Sequence, residues 1–270
     1  GQLVLAGSTR FLTEPRLSES LAGRVRFLDL WPLSQGEIHG GDDGLLDALL
    51  TGVDAVRARR PPALGRSAVA ARIATGGLPE AVLLDDDPAS IARAAGMADT
   101  TVRRYLPLLE AVFAFHELTP FSANLSARAS GRTKAHLVDT GLATQLVRET
   151  GSRLADPASA AFGPLFETFV VNEVARQRTW SDQIVDLHHV RVHRGAEVDL
   201  VAIGDGGRVA GVEVKATASP GPSDARGLRW LAGRMGDRWV QGVVVCMIDR
   251  PVPLGAGITA VPVAAVWSAG

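Results

Sequence analysis

Two short stretches, GAEVDLV at 195–201 and GVEVKA at 211–216, place four charged side chains where they could act together. Side chains along a strand alternate between faces, so Glu197 and Asp199 point one way while Val198 and Leu200 point the other. Glu213 and Lys215 likewise share a face against Val212 and Val214. The GDGG between the two stretches is a hairpin signal. With Asp205-Gly206-Gly207 as its loop, Gly204 stands opposite Arg208, Asp199 opposite Glu213, and Glu197 opposite Lys215. Two opposed carboxylates destabilise a strand pair by up to ~1 kcal/mol, and a divalent cation between them reverses the sign. Carboxylates, waters and a substrate phosphate together suit Mg²⁺. A register shifted by two residues sets Asp199 against Lys215 instead, giving cross-strand ion pairs on a solvated face.

Composition sharpens that choice. Only Lys134 and Lys215 among the 28 basic residues are lysines, so arginine is the default cation and each lysine asks for a reason. An ammonium is a compact point charge that fits beside a metal-bound water and a phosphate, where a planar guanidinium does not. A net charge of −1 excludes a uniformly basic nucleic-acid coat but leaves room for a local basic groove. The single cysteine, Cys246, excludes a disulfide framework and a zinc cluster of cysteine pairs; within VVVCMI it reads as a buried thiol. No apolar run approaches the roughly 20 residues that span a bilayer, so a cytoplasmic chain without a membrane partner is expected. The chain opens at Gly1 and runs straight into QLVLAG, as a piece of a longer protein cut inside a domain would.

The elements that must position these residues are legible from periodicity. QLVLA and VRFLDLWPL read as strands around a short helix, an α/β fragment too small for its own core. Residues 42–59 carry Leu45, Leu46, Leu49 and Val53 at helical spacing. PASIARAAGMADTTVRRYLPLLEAV at 88–112 fits a helix–turn–helix: Ala92 at the crossing, Gly96 in the turn, Ile91, Val102 and Tyr105 inward, and Asp99 or Thr100 as a cap. VFAFHEL reads as the strand of a wing, AHLVDTG as a further strand, and GLATQLVRE as the start of a helix. Beyond residue 160 a helix with Leu165, Phe169, Val170 and Val174 on one side precedes three strands, a helix over 223–236 capped by Ser223 or Asp224, and strands at 240–248 and 258–267. That order predicts a mixed sheet covered by helices, on which four clustered charges are costly.

Glu167 on the leading helix, Asp199 on one strand and Glu213-x-Lys215 on the next resemble the PD-(D/E)xK, restriction-endonuclease-like superfamily. More closely, GPLFETFVVNE, GAEVDLV, GVEVKA and RGLRWLA resemble the C-terminal domain of uncharacterised bacterial and archaeal AAA-type ATPases, in which an ATPase core precedes a winged helix and this nuclease-like domain. LAGSTRFL and LAGRVRFLDLWPLS are similar to the end of such a core. The resemblance implies an α/β chain in three parts: a remnant of the P-loop ATPase core over 1–35, a helical winged helix–turn–helix region over 36–150, and a mixed-sheet, restriction-endonuclease-like domain over 151–270. It implies Asp199 and Glu213 as ligands of Mg²⁺ or Mn²⁺ with a backbone carbonyl near Val214, Glu167 orienting a water or completing the shell, and Lys215 stabilising charge on the attacked phosphate or deprotonating the water. Glu197 lies outside the minimal pattern, as a ligand or the partner of Lys215. The implied function is metal-dependent action on DNA, the alternative a catalytically silent DNA- or protein-interaction module coupled to the ATPase. A homo-oligomer is a third possibility.

Other candidates follow from residue type. The chain contains no Gly-Lys pair and hence no nucleotide-cradling loop, so ATP would be bound by the missing N-terminal ATPase region. Ser8 or Thr9 would then act as γ-phosphate sensors and Arg24 as a charge stabiliser, set against an ordinary turn and a surface arginine. Arg103 and Arg104 project from the second helix of the helix–turn–helix toward phosphates or a guanine edge, or else are solvated. His188, His189 and His193 read as polar strand residues rather than zinc ligands, because His188 faces away from the other two. Trp180, Trp230 and Trp239 are expected in the core.

Overall fold

The computed structural model describes residues 28–84, 113–121, 133–192 and 195–269. Ser8, Thr9, Arg24, Arg103, Arg104, His193 and the expected helix–turn–helix at 88–112 lie outside the described residues. The helices are α1 (Gln35–His39), α2 (Leu45–Thr51), α3 (Val53–Ala58), α4 (Arg66–Thr75), α5 (Pro79–Leu84), α6 (Thr140–Leu146), α7 (Gly151–Ala155), α8 (Phe162–Gln177) and α9 (Arg226–Met235). The strands are β1 (Phe115–Pro120), β2 (Lys134–Leu137), β3 (Asp186–Arg191), β4 (Glu197–Ile203), β5 (Val209–Val214), β6 (Trp239–Cys246), β7 (Val252–Gly255) and β8 (Ile258–Pro262).

All the described strands join one mixed sheet in the order β2-β1-β3-β4-β5-β6-β8-β7. Alternation within each strand splits the core in two. On β6, Val243 and Val245 pack with α8 residues such as Phe166, Phe169 and Val170. Val244 and Cys246 pack instead with Leu228 and Leu231 of α9. The larger cluster also takes Leu45, Leu46, Leu49 and Leu50 of α2, so it runs across residue 150. Burial pushes the Cys246 thiol up to about 12, as suits a side chain that only fills space.

Several expected elements are shorter in the structure. The helix read over 42–59 breaks at Gly52, whose φ of 150° separates α2 from α3. The strand read over 258–267 stops at Pro262, and residues 263–266 turn as a short 3₁₀ helix. The edge strand β7 was hidden in PVPL, since a proline-rich run reads as loop. The strand expected in VFAFHEL is β1; it pairs antiparallel with β2 and parallel with β3, and so belongs to the large sheet. The cap expected from Ser223 or Asp224 precedes α9 by a 3₁₀ turn, where the Asp224 carboxylate accepts the Gly221 N–H at 2.8 Å. Trp230 and Trp239 flank the core, whereas Trp180, just past α8, is 45% exposed rather than buried.

Candidate acidic site at the parting of two strands

The β4–β5 ladder runs from Ile203↔Val209 to Leu200↔Val212, joined by the Asp205–Gly207 loop, which is the unshifted register. One step further sets Asp199 against Glu213, and there the strands part. Between β3 and β4 the pairing slips, from His188↔Val201 to Val190↔Val198, so β4 carries an extra residue at Asp199-Leu200. The bulge puts Leu200 in the α8-side core, while Val198 and Val201 both face α9. It also frees the Asp199 carboxylate to sit in the gap, where Oδ2 accepts the Val214 N–H at 2.9 Å. Behind the gap, Lys215 N–H donates to Val245 O at 2.9 Å and keeps β5 on β6. The start of α9 closes the other side: a Cβ at Gly227 would lie 1.9 Å from the Glu197 carbonyl oxygen, so only glycine allows that approach.

Both lysines of the chain converge here. Lys134, the first residue of β2, puts its Nζ 2.5 Å from Glu167 Oε1, 3.1 Å from Asp199 Oδ1 and 3.8 Å from Glu197 Oε1. Lys215 Nζ lies 2.6 Å from Glu213 Oε1. Glu197 faces Lys134 and Arg191 rather than its register partner Lys215, which corrects the pairing expected from alternation. The strands have separated by that point, and Lys215 folds back onto its own strand. Thus Glu167, Asp199, Glu213 and Lys215 lie near one another through these contacts, with Glu197 at the rim. The ammonium of Lys134 stands among Glu167, Asp199 and Glu197, on one side of the Asp199–Glu213 pair between which a metal ion was expected.

The charge balance is unusual for so sheltered a place. Asp199 and Glu213 are each 5% exposed. Burial, and then the charge of Asp199, raises the Glu213 carboxyl to about 7 against the opposing pull of Lys215. Burial and Asp199 raise Glu167 too. For Lys134 burial pulls downward, but Asp199 and Glu167 outweigh it and hold the ammonium above the ordinary lysine value. Lys215 behaves the same way, with Glu213 as its main support. Glu213 Oε2 is buried with no hydrogen-bond partner. These hard oxygen donors match Mg²⁺ or Mn²⁺ in kind. Among the described residues no three His, Cys, Asp or Glu side chains are gathered as ligands of a single ion.

Lys134 is the site residue that motif reading missed; its rarity was the signal, and only the tertiary fold gave it an address. A polar seam from α8 to β1 and β2 was also hidden. His116 Nε2 meets Asn172 Oδ1 at 2.9 Å, His136 Nδ1 meets Thr168 Oγ1 at 3.2 Å, and Asn172 donates to Leu137 O at 2.8 Å. His116 and His136 stack 5.7 Å apart. His188 Nδ1 lies 2.9 Å from Thr119 Oγ1, and His189 is buried on the same strand.

Residues 162–266 match a family model described as a domain of unknown function, DUF4143, which occurs in AAA-ATPase-associated proteins. Residues 87–153 match a second domain of unknown function, DUF8612. The chain is 30% identical over 182 residues to Uncharacterized protein Rv2008c of Mycobacterium tuberculosis and, equally, to Uncharacterized protein Mb2031c of Mycobacterium bovis. Those alignments take in 67% of this chain but only 39% of each relative's length. No solved structure matches. Among the described residues no helix is long and apolar enough to cross a membrane.

Proposed function

We propose that this chain is the C-terminal portion of an AAA-type ATPase-associated protein that acts on DNA, with a divalent-cation-dependent phosphodiester site at Asp199 and Glu213. The observation that carries the reading is the convergence of both lysines with four carboxylates where β4 and β5 part. Asp199, Glu213 and the Val214 carbonyl would hold Mg²⁺ or Mn²⁺, which when bound supplies an acidified water and a positive charge for the phosphate. Glu167 would orient the water, and Lys215, anchored on Glu213, would face the attacked phosphate. Arg103 and Arg104 would contact the DNA backbone, while ATP would belong to the ATPase region, with Ser8, Thr9 and Arg24 at its edge. A homo-oligomer and a cytoplasmic setting go with this reading.

A nicking assay on supercoiled DNA with Mn²⁺ tests it. Wild type is expected to cut; Asp199→Ala and Lys215→Ala should lose at least 100-fold in rate, on the scale of removing one charge-stabilising group, while DNA binding is kept. One observation favours a second reading, a silent interaction module: Lys134 and Lys215 already pair with the carboxylates. If wild type cuts no DNA, RNA or branched substrate while still binding one of them, that reading stands.

A further inference from the structure

Lys134 belongs to none of the roles above, yet it makes the closest contacts in the site. Three carboxylates, Glu167, Asp199 and Glu197, surround its ammonium within 3.8 Å. Four carboxylates face two ammonium groups and, at the rim, the Arg191 guanidinium, which leaves a formal surplus of one negative charge, with Glu213 Oε2 buried and unpartnered beside them. Asp199 Oδ2 accepts the Val214 N–H and Oδ1 accepts from Lys134, so an ion that binds Asp199 through Oδ1 meets that ammonium.

We propose that Lys134 is a resident counter-ion that competes with a divalent metal ion for Asp199 and Glu167, so that metal uptake expels its ammonium from the site. The inference rests on the cation-dependent reading above and adds a regulator to it. Lys134 opens β2, the edge strand, whose strand partner among the described residues is β1. Its side chain therefore ties the edge of the sheet to the centre of the site, and the ion unties it. Charge alone sets the direction: two cations within a few ångströms repel, and the sheltered position leaves that repulsion poorly screened.

The rarity of lysine makes the test direct. Lys134 and Lys215 are the only amines on side chains, so acetylation by a small amine-reactive ester is read at each by peptide mass spectrometry. Saturating Mg²⁺ is expected to raise the Lys134 rate at least threefold in the wild-type chain. Calorimetric titration with Mn²⁺ should show Lys134→Met binding at least tenfold tighter than wild type, and Lys134→Arg, which keeps the charge, no tighter. Equal or weaker Mn²⁺ binding by Lys134→Met, or an unchanged Lys134 rate under Mg²⁺ that demonstrably binds, overturns the competition and leaves the cation site standing. Absence of Mn²⁺ binding in wild type and Lys134→Met alike overturns the cation-dependent reading and this inference with it.

Discussion

Helix α8 carries two carboxylates, Glu173 buried and Glu167 half-buried, that have been treated in opposite ways. Glu173 is closed inside the protein: its Oε2 accepts the Gln35 N–H at 2.9 Å, and Oε1 pairs with Arg176. Arg176 also donates to Val138 O at 3.1 Å, and Arg72 donates to Gln35 Oε1 at 2.9 Å. Glu167, on the other face of the same helix, meets a lysine at the rim of a gap between strands. The guanidinium forks fix direction and bind several acceptors at once, which suits a structural junction. An ammonium on a flexible stem holds charge without fixing geometry, which suits a site where ions exchange. A chain that uses arginine almost everywhere spends both lysines on that second task.

Breaking the closed network should have the largest effect. Glu173→Ala leaves the Arg176 charge buried without its partner, and urea unfolding is expected to lose about 3–5 kcal/mol. Acid should act next most strongly, through the seam between the two regions. Burial, and secondarily the nearby His116, holds His136 down to about 3. The unfolded chain takes up a proton near 6.5 that the folded imidazole refuses, so the stability is complete above that pH and falls below it. Between pH 7 and pH 5 His136 by itself should withdraw about 2 kcal/mol, and the stability difference between wild type and His136→Gln should shift by that amount over the same range. His116 is lowered in the same direction, mainly by burial, whereas the raised carboxyl of Glu213 takes up its proton more readily in the folded chain and opposes both. Arg176→Lys retains the charge but not the fork, and is expected to cost about 1 kcal/mol in the same unfolding assay. The smallest change in stability belongs to Glu167→Gln. Loss of this partly solvated contact should shift stability by less than about 1 kcal/mol, yet weaken Mn²⁺ binding measurably by calorimetry. A Glu167→Gln variant as unstable as Glu173→Ala would erase the contrast.

Much of the site was readable because a β-hairpin is local. The loop Asp205–Gly207 counts the register outward, and in the unshifted register, which the ladder adopts, Asp199 and Glu213 face each other. The same counting failed at Glu197 and Lys215, because β4 bulges against β3 and its ladder with β5 ends at Leu200↔Val212, before that pair is reached. Trp180 was misread because its apolar character says nothing of whether a neighbour arrives to cover it. The helix at 42–59 was broken by Gly52, a residue whose freedom permits a turn without requiring one.

What the sequence settled by itself was the alternation that gathers acidic residues with Lys215 on adjoining strands, and the rarity that singled out Lys134. Those are properties of neighbours along the chain. Only the tertiary structure brought Lys134 across from the edge strand and Glu167 down from α8 to the parting of β4 and β5. Residue types and spacing carry no distance between segments so far apart in the chain; the packing of α8 and the β1–β3 pairing supply it.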